Sequence, residues 1–218
     1  MIPSDGLSDP REAFLGALAA AVAPSGYFNP WAMVCPLQDL SPDAPAARLD
    51  RLRRFLSVDA TLVLVGEAPG YQGCRYSGIP FTSERLLCEG EIPRLGVTGR
   101  FTSRNLPWSE PSATVVWGTL KRLGLADTTI LWNACPWHPQ GEGEPLSNRA
   151  PDRAQVAAGA AYLRALRGIF STAAFVAVGN VASDALAKAW IASAGQVRHP
   201  AYGGKTEFER GLERIMQG

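Results

Sequence analysis

The stretch that most constrains this chain is 61–81, where a short apolar run leads directly into a loop rich in glycine and proline. The run, TLVLV, is apolar and β-branched, which is typical of a parallel strand buried on both faces. The loop begins GEAPG and carries one carboxylate, Glu67. Because ligands bind at the carboxyl ends of strands in open α/β sheets, this loop is a candidate site. A simple strand-to-loop turn would have the same local sequence.

Three further segments repeat the pattern of an apolar run followed by polar residues. The runs at 128–132 and 173–178 lead to Asn133 and to Asn180, and residues 196–200 predict a short fourth strand that ends on His199. Periodic apolar positions predict helices at 11–22, 46–56, 109–124, 151–170, 181–191 and 206–217. Strands that alternate with helices predict a three-layer α/β/α fold with a central four-stranded parallel sheet, as one domain over residues 1–218.

Composition limits the classes of partner and compartment. The net charge of +1 gives no global attraction to nucleic acid, so any DNA-binding surface must be a local basic patch. The chain starts with acidic residues and no apolar signal core, and its four cysteines form no C-x-x-C pair. We therefore expect a cytoplasmic protein with reduced thiols.

The second predicted helix carries a basic face made by Arg48, Arg51 and Arg54. This face is either solvated or in contact with phosphate.

Taken in order, these segments resemble the uracil-DNA glycosylase superfamily, most closely its family 4 branch. GEAPG stands at 66–70, and a glycine-x-proline-phenylalanine at 78–81. Asn133 follows the next strand, AVGNVASDAL at 177–186 resembles the family's strand-to-helix segment, and His199-Pro200-Ala201 matches its closing motif. The resemblance covers about 61–204. It implies a monofunctional hydrolase of base excision repair that cleaves the N-glycosidic bond of uracil, or of a related deaminated base, flipped out of damaged DNA. We expect it to act as a monomer.

The resemblance also assigns roles to individual residues. Glu67 and His199 would be catalytic, Glu67 by positioning the attacking water and His199 by donating a hydrogen bond to uracil O2. Asn133 would accept a hydrogen bond from uracil N3–H and donate one to O4, and Phe81 would stack on the base. The remaining substrate-binding positions are Gly66, Ala68, Pro69 and Gly70, and in another branch of the family a tyrosine that blocks the methyl group of thymine stands at the position of Gly70.

Each of these positions also has a purely structural interpretation. Asn133 would then be a turn residue after a strand, Phe81 a core residue, and Glu67 a carboxylate bonded to nearby amide groups. Candidate DNA contacts are Arg75, Arg198, Tyr202 and Lys205, which would otherwise be solvated loop residues. Trp137 and His138, in an insertion relative to the family pattern, are predicted to be exposed and available to substrate.

Family 4 members hold an iron-sulfur cluster on four cysteines, of which two form a C-x-x-C pair near the N-terminus. This chain has only Cys35 in that region, so we predict neither cluster nor other cofactor nor metal. The alternative is a metal site made by Cys74, Cys88, Cys135 and His138. Two other functions remain open: a catalytically silent protein of this fold that binds nucleic acid or nucleotide, and an unrelated hydrolase using Glu67 and His199. No G-x-S-x-G motif supports the hydrolase.

Overall fold

The computed structural model describes residues 9–217. The first eight residues, on which the expectation of no signal sequence partly rests, lie outside this range. In chain order the elements are α1 (Pro10–Ala20), β1 (Tyr27–Phe28), α2 (Ala44–Leu56), β2 (Leu62–Gly66), α3 (Cys74–Ser77), α4 (Glu84–Cys88), a 3-10 turn (Pro93–Leu95), α5 (Pro111–Arg122), β3 (Thr129–Asn133), β4 (His138–Pro139), α6 (Arg153–Ile169), β5 (Ala174–Val178), α7 (Asn180–Lys188), β6 (Ser193–Val197) and α8 (Lys205–Gln217).

The main sheet has four parallel strands in the order β3-β2-β5-β6, with helices packed around it. This confirms the predicted α/β fold. Strands β2 and β3 are aligned so that Gly66, the last residue of β2, pairs with Asn133, the last residue of β3. The loops that follow these two neighbouring strands therefore leave the sheet side by side. Across residues 9–217, no helix is both long and apolar enough to cross a membrane.

Local sequence explains the best-predicted elements. Every residue of β2 and β3 is buried, as expected for uninterrupted apolar runs in a sheet covered on both faces. Helix α1 begins where Asp9 accepts a hydrogen bond from the Arg11 amide and Pro10 occupies the first turn. Its Phe14, Leu15 and Leu18 pack into the core.

The fourth strand lies earlier in the chain than the sequence predicted. It covers Ser193–Val197, so that His199 stands in the loop two residues past its end. Strand β6 is at the edge of the sheet, and four of its five residues are exposed or half-buried. Because an edge strand of this kind needs no apolar run, the sequence gives it little signal.

The basic face predicted on α2 is mostly buried. Arg48 pairs with Asp39 at 2.8 Å and donates to the Pro30 carbonyl, and Arg51 donates to the Ser77 carbonyl. Both arginines are almost fully buried, with exposed fractions of 0% and 1%. Neither solvent nor a phosphate backbone reaches them, so both interpretations of this face were wrong for Arg48 and Arg51.

Candidate active site

Gly66, Phe81 and Asn133 meet at the carboxyl end of the neighbouring strands β2 and β3. A Cβ atom added to Gly66 would overlap the Phe81 ring and lie 2.8 Å from Oδ1 of Asn133. Glycine is therefore needed here so that the aromatic ring and the carboxamide can approach the strand end. Phe81 and Asn133 are 7% and 3% exposed, and no hydrogen bond within residues 9–217 engages the Asn133 carboxamide. One nearly buried, uncommitted amide therefore stands beside an aromatic ring at the strand end.

His199 lies beside the Phe81 ring. The centroids of the two rings are 5.9 Å apart and their planes are tilted by 36°. Nδ1 of His199 accepts a hydrogen bond from the Ala201 amide at 3.2 Å, which leaves the proton of a neutral ring on Nε2. Burial lowers the pKa of His199 below its ordinary value, so the ring is neutral near pH 7.

Glu67 is the half-buried carboxylate that follows β2. Its backbone carbonyl accepts a hydrogen bond from Cys135 N at 2.9 Å, and the Gly66 carbonyl accepts one from Ala134 N at 2.8 Å. These bonds extend the β2–β3 pairing into the loops and hold Glu67 beside the end of β3. Burial alone raises the pKa of the Glu67 carboxyl. No amide hydrogen within residues 9–217 binds this carboxylate, contrary to the purely structural interpretation of Glu67.

Phe81 has an unusual backbone conformation. Its φ of 50° lies in the left-handed region, which costs a residue with a side chain about 1–3 kcal/mol. The ring is also part of the main core cluster. Phe81 is thus both a core residue, as one interpretation predicted, and the shared neighbour of Gly66 and His199.

Three of the predicted DNA contacts lie close to His199 in the chain: Arg198 directly before it, Tyr202 in the loop after it, and Lys205 at the start of α8. Tyr202 is 100% exposed, with a φ of 51°. Arg198 and Lys205 are exposed as well, and Arg198 makes a 3.4 Å ion pair with Glu207 in which both side chains remain more than half exposed. Such a pair is worth little in water, so Arg198 remains available to another anion. Asn180, by contrast, has its carboxamide oxygen bound by Gln196 at 2.7 Å, and we leave it out of the site.

The structure corrects three of the predicted surface residues. Arg75 is 2% exposed, donates to Nδ1 of His138 at 2.8 Å and to Gln140, and lies 3.8 Å from the Phe28 ring centroid. His138 and Trp137 are 0% and 6% exposed. Burial and the neighbouring guanidinium lower the pKa of His138 to about 4. These residues therefore form a buried support next to the site and are not positioned to contact DNA.

The buried cysteines do not assemble a ligand set. Within residues 9–217, no three cysteine, histidine or acidic side chains come together as ligands for a metal ion. The alternative site of Cys74, Cys88, Cys135 and His138 is therefore not formed in this part of the chain. Burial raises the pKa of the Cys135 thiol to about 12, which keeps it protonated.

Sequence reasoning missed the residues that brace the GEAPG loop. Oδ1 of Asn148 accepts a hydrogen bond from the Tyr71 amide at 3.0 Å, which ties the loop to a segment 77 residues away. A Cβ atom added to Gly73 would overlap the Glu110 carboxylate, and burial raises the pKa of Glu110. Both partners are distant along the chain and sit in no recognisable motif. The only signal was the asparagine-arginine pair at 148–149, which resembles a family segment displaced by the insertion.

Comparison with known proteins bears directly on this geometry. The family model described as the uracil DNA glycosylase superfamily matches residues 54–215, which include all of the strand ends described above. The chain belongs to this superfamily. The solved structure of wild-type SMUG2 from Pedobacter heparinus matches this glycosylase-superfamily chain with a TM-score of 0.62, over 95% of this chain and 96% of that chain. The sequences are 13% identical, so this likeness shows the fold alone. No curated protein matches the sequence.

For this superfamily member, Gly66→Ala is expected to displace the Phe81 ring and the Asn133 carboxamide together. The added methyl group overlaps the ring, and overpacking of this kind costs about 1–3 kcal/mol of stability. Chemical denaturation should therefore show a lower free energy of unfolding. Gly118→Ala, a glycine on α5 with open space around it, is the matched control and should not lose stability. Equal stability of Gly66→Ala and wild type would contradict the close approach.

Proposed function

We propose that the protein is a monofunctional DNA glycosylase that removes uracil, or a related deaminated base, after the nucleotide has been flipped out of DNA. The observation that carries this proposal is the convergence of Phe81, Asn133 and His199, from three separate segments, around the end of β2. Together they supply one aromatic surface, one uncommitted carboxamide and one neutral imidazole. This set of groups suits a planar base with polar edges better than it suits a phosphate or a peptide.

Asn133 is proposed to read the base edge. Its carboxamide can accept a hydrogen bond from uracil N3–H and donate one to O4, whereas cytosine offers the reverse pattern at these positions. Because the amide is nearly buried and has no partner among the described residues, a wrong base would leave it unsatisfied. A bidentate contact of this kind gives about 1–3 kcal/mol of discrimination.

Phe81 is proposed to stack on the flipped base. Base-aromatic stacking contributes about 1–3 kcal/mol per base in proteins that bind single strands. The ring belongs to the core cluster and lies near His199, so little conformational freedom remains to be lost on binding.

The chemistry proposed is hydrolysis of the bond between the base nitrogen and C1′ of the sugar. The electron pair of this bond leaves with the base, whose O2 gains negative charge, and Nε2–H of His199 donates a hydrogen bond to it. Water forms the new bond to C1′. Glu67, half-buried and without a partner among the described residues, would orient that water, take its proton and stabilise the cationic sugar.

The proposal includes contacts between the DNA and the residues around His199. Tyr202 projects fully into solvent, and its backbone has a φ of 51°. An exposed ring at this place could fill the gap left by the flipped base. Arg198 and Lys205 flank it and would meet phosphates. The weak global charge makes such a local contact necessary.

The test is a base-excision assay on single-stranded and duplex oligonucleotides carrying uracil, uracil opposite guanine, hypoxanthine or xanthine, with alkaline cleavage at abasic sites. We expect strand scission with at least one of these substrates. DNA binding without scission would support the catalytically silent alternative, and failure of both would contradict the proposed function.

Asn133→Ala is expected to lower the excision rate about 10–100-fold, the equivalent of about 1–3 kcal/mol of lost base recognition. Asn180→Ala is the matched control, since Asn180 follows a neighbouring strand and its carboxamide is bound by Gln196. Single-turnover rates of the two variants on one uracil substrate measure the difference. A rate for Asn133→Ala equal to that of the control would remove Asn133 from the base-reading role.

A further inference from the structure

Arg104 and Trp108 form a stack next to the GEAPG loop, in which Arg104 is exposed and Trp108 is buried. The Arg104 guanidinium carbon lies 3.9 Å from the centroid of the Trp108 ring. Trp108 in turn stacks on Tyr76, at 5.5 Å and 8°, and meets Tyr71 edge-on at 5.4 Å. Tyr71 directly follows Gly70, the last residue of GEAPG. The guanidinium is thus fixed on an aromatic surface that is continuous with the edge of the candidate site.

Buried side chains hold the segment that carries this arginine. Glu84 is 0% exposed and accepts hydrogen bonds from the amides of Phe101 and Thr102 and from the Thr102 hydroxyl. Arg51, which is 1% exposed, donates to the Gly99 carbonyl, and its guanidinium carbon lies 4.0 Å from the Phe101 ring centroid. The two buried charges of Glu84 and Arg51 therefore anchor residues 99–102, which include Arg100, on the body of the protein. Arg104 follows this anchored segment by two residues.

The charge on this segment is not neutralised within the described range. Among residues 9–217, neither Arg100 nor Arg104 makes an ion pair with a carboxylate, and Arg100 donates instead to the Asn105 carbonyl at 3.2 Å. Two of the acidic residues nearby are engaged elsewhere: Glu84 by the bonds described above, and Glu89 by Arg85. A third, Glu110, lies against Gly73, accepts a hydrogen bond from the Ser112 hydroxyl and has its pKa raised by burial. Arg100 and Arg104 are therefore left without a carboxylate partner among the described residues.

The position of the Arg104–Trp108 stack indicates which anion it would bind. Arg104 lies within about 10 Å of the Tyr71 ring, a span of about three nucleotide steps at ~3.4 Å per step. Arg198 and Lys205, near His199, are the basic groups that follow the fourth strand, and they would hold the DNA on one side of the flipped nucleotide. A strand whose base is extruded at Phe81 must continue on both sides of that nucleotide, and a single basic loop can hold only one of them.

We propose that Arg100 and Arg104 form a second DNA-backbone contact, which holds the phosphates on the GEAPG side of the flipped nucleotide. This inference rests on the proposed function and deepens it by assigning a surface to the other flank of the lesion. It also replaces Arg75, which the sequence had suggested as a DNA contact and which is buried. The contact is to phosphates, so it gives affinity for DNA of any sequence.

The experiment is fluorescence anisotropy with labelled single-stranded and duplex oligonucleotides that contain a tetrahydrofuran abasic analogue, over a series of salt concentrations. Arg100→Gln with Arg104→Gln should weaken duplex binding about tenfold for each lost contact at 0.1 M salt. The slope of log affinity against log salt should become shallower by about 0.9 per contact. Arg104→Lys keeps the charge and should keep most of the slope.

The matched control is Arg164→Gln with Lys188→Gln, which removes two exposed positive charges from α6 and α7. Its affinity and salt slope should stay close to those of wild type, and thermal unfolding should show that both double variants are folded. If the Arg100 and Arg104 variant matches this control while wild type excises bases, the second contact is refuted and the proposed function stands. If wild type neither binds nor cleaves DNA, both fail.

Discussion

His199→Ala is expected to slow uracil release roughly 10²–10³-fold, the effect of removing one preorganised donor from a developing anion. The histidine is prepared for this role by its surroundings. The Ala201 amide occupies Nδ1, and burial lowers the pKa of the ring, so that a neutral Nε2–H group is present near pH 7. A neutral donor needs no proton transfer to stabilise the leaving base.

The dependence on leaving group tests this role more sharply than the rate alone. 5-Fluorouracil leaves as a more stable anion than uracil, so its release should depend less on a donor at O2. The ratio of wild-type to His199→Ala single-turnover rates should therefore be smaller for 5-fluorouracil than for uracil. His199→Gln, whose carboxamide can still donate, should retain part of the lost rate. A His199→Ala rate within threefold of wild type, or equal ratios for the two bases, would contradict donation to the leaving group.

Glu67→Gln is expected to lower the excision rate about 10²–10⁴-fold, the usual contribution of a general base. Glutamine has nearly the same shape but cannot take a proton from water. The carboxylate form is required, and burial raises its pKa, so the wild-type rate should rise with pH through a value above 4.5. This acidic limb should be missing from the residual activity of Glu67→Gln.

The same substitution should increase stability at neutral pH. The folded-state pKa of Glu67 is raised above its unfolded value, so ionisation costs free energy in the folded protein. Glutamine removes this cost, and the gain should shrink as the pH falls through the folded-state pKa and disappear below the unfolded pKa, where both states are protonated. Thermal unfolding from pH 7 to pH 4 measures it. A variant that is less stable than wild type at pH 7 would show that the carboxylate is held by favourable contacts instead.

Three of the four strands of the main sheet could be predicted because their sequences carry the whole signal. Strands β2, β3 and β5 are runs of apolar and β-branched residues, and their ends follow from the glycines and polar residues after them. The sequence also placed Asn133 and Glu67 at one edge, provided that β2 and β3 are neighbours. The structure supplies this condition through the pairing of Gly66 with Asn133.

Partners far apart along the chain explain what could not be predicted. Arg75 looks like a surface cation until His138, 63 residues away, accepts its hydrogen bond within a buried cluster. Sequence patterns place charged residues outside because burial is costly, and they fail where a distant partner offsets that cost. Likewise, the left-handed backbone of Phe81 depends on packing and leaves no mark in the local sequence.

The most direct test of the proposed base recognition is a crystal structure of Glu67→Gln bound to DNA that carries 2′-fluorinated deoxyuridine, a nucleotide that resists cleavage. We expect uracil to stack on Phe81, with its N3–H and O4 at the Asn133 carboxamide and its O2 at Nε2 of His199. A uracil that remains inside the duplex, or that binds away from these three side chains, would contradict this recognition.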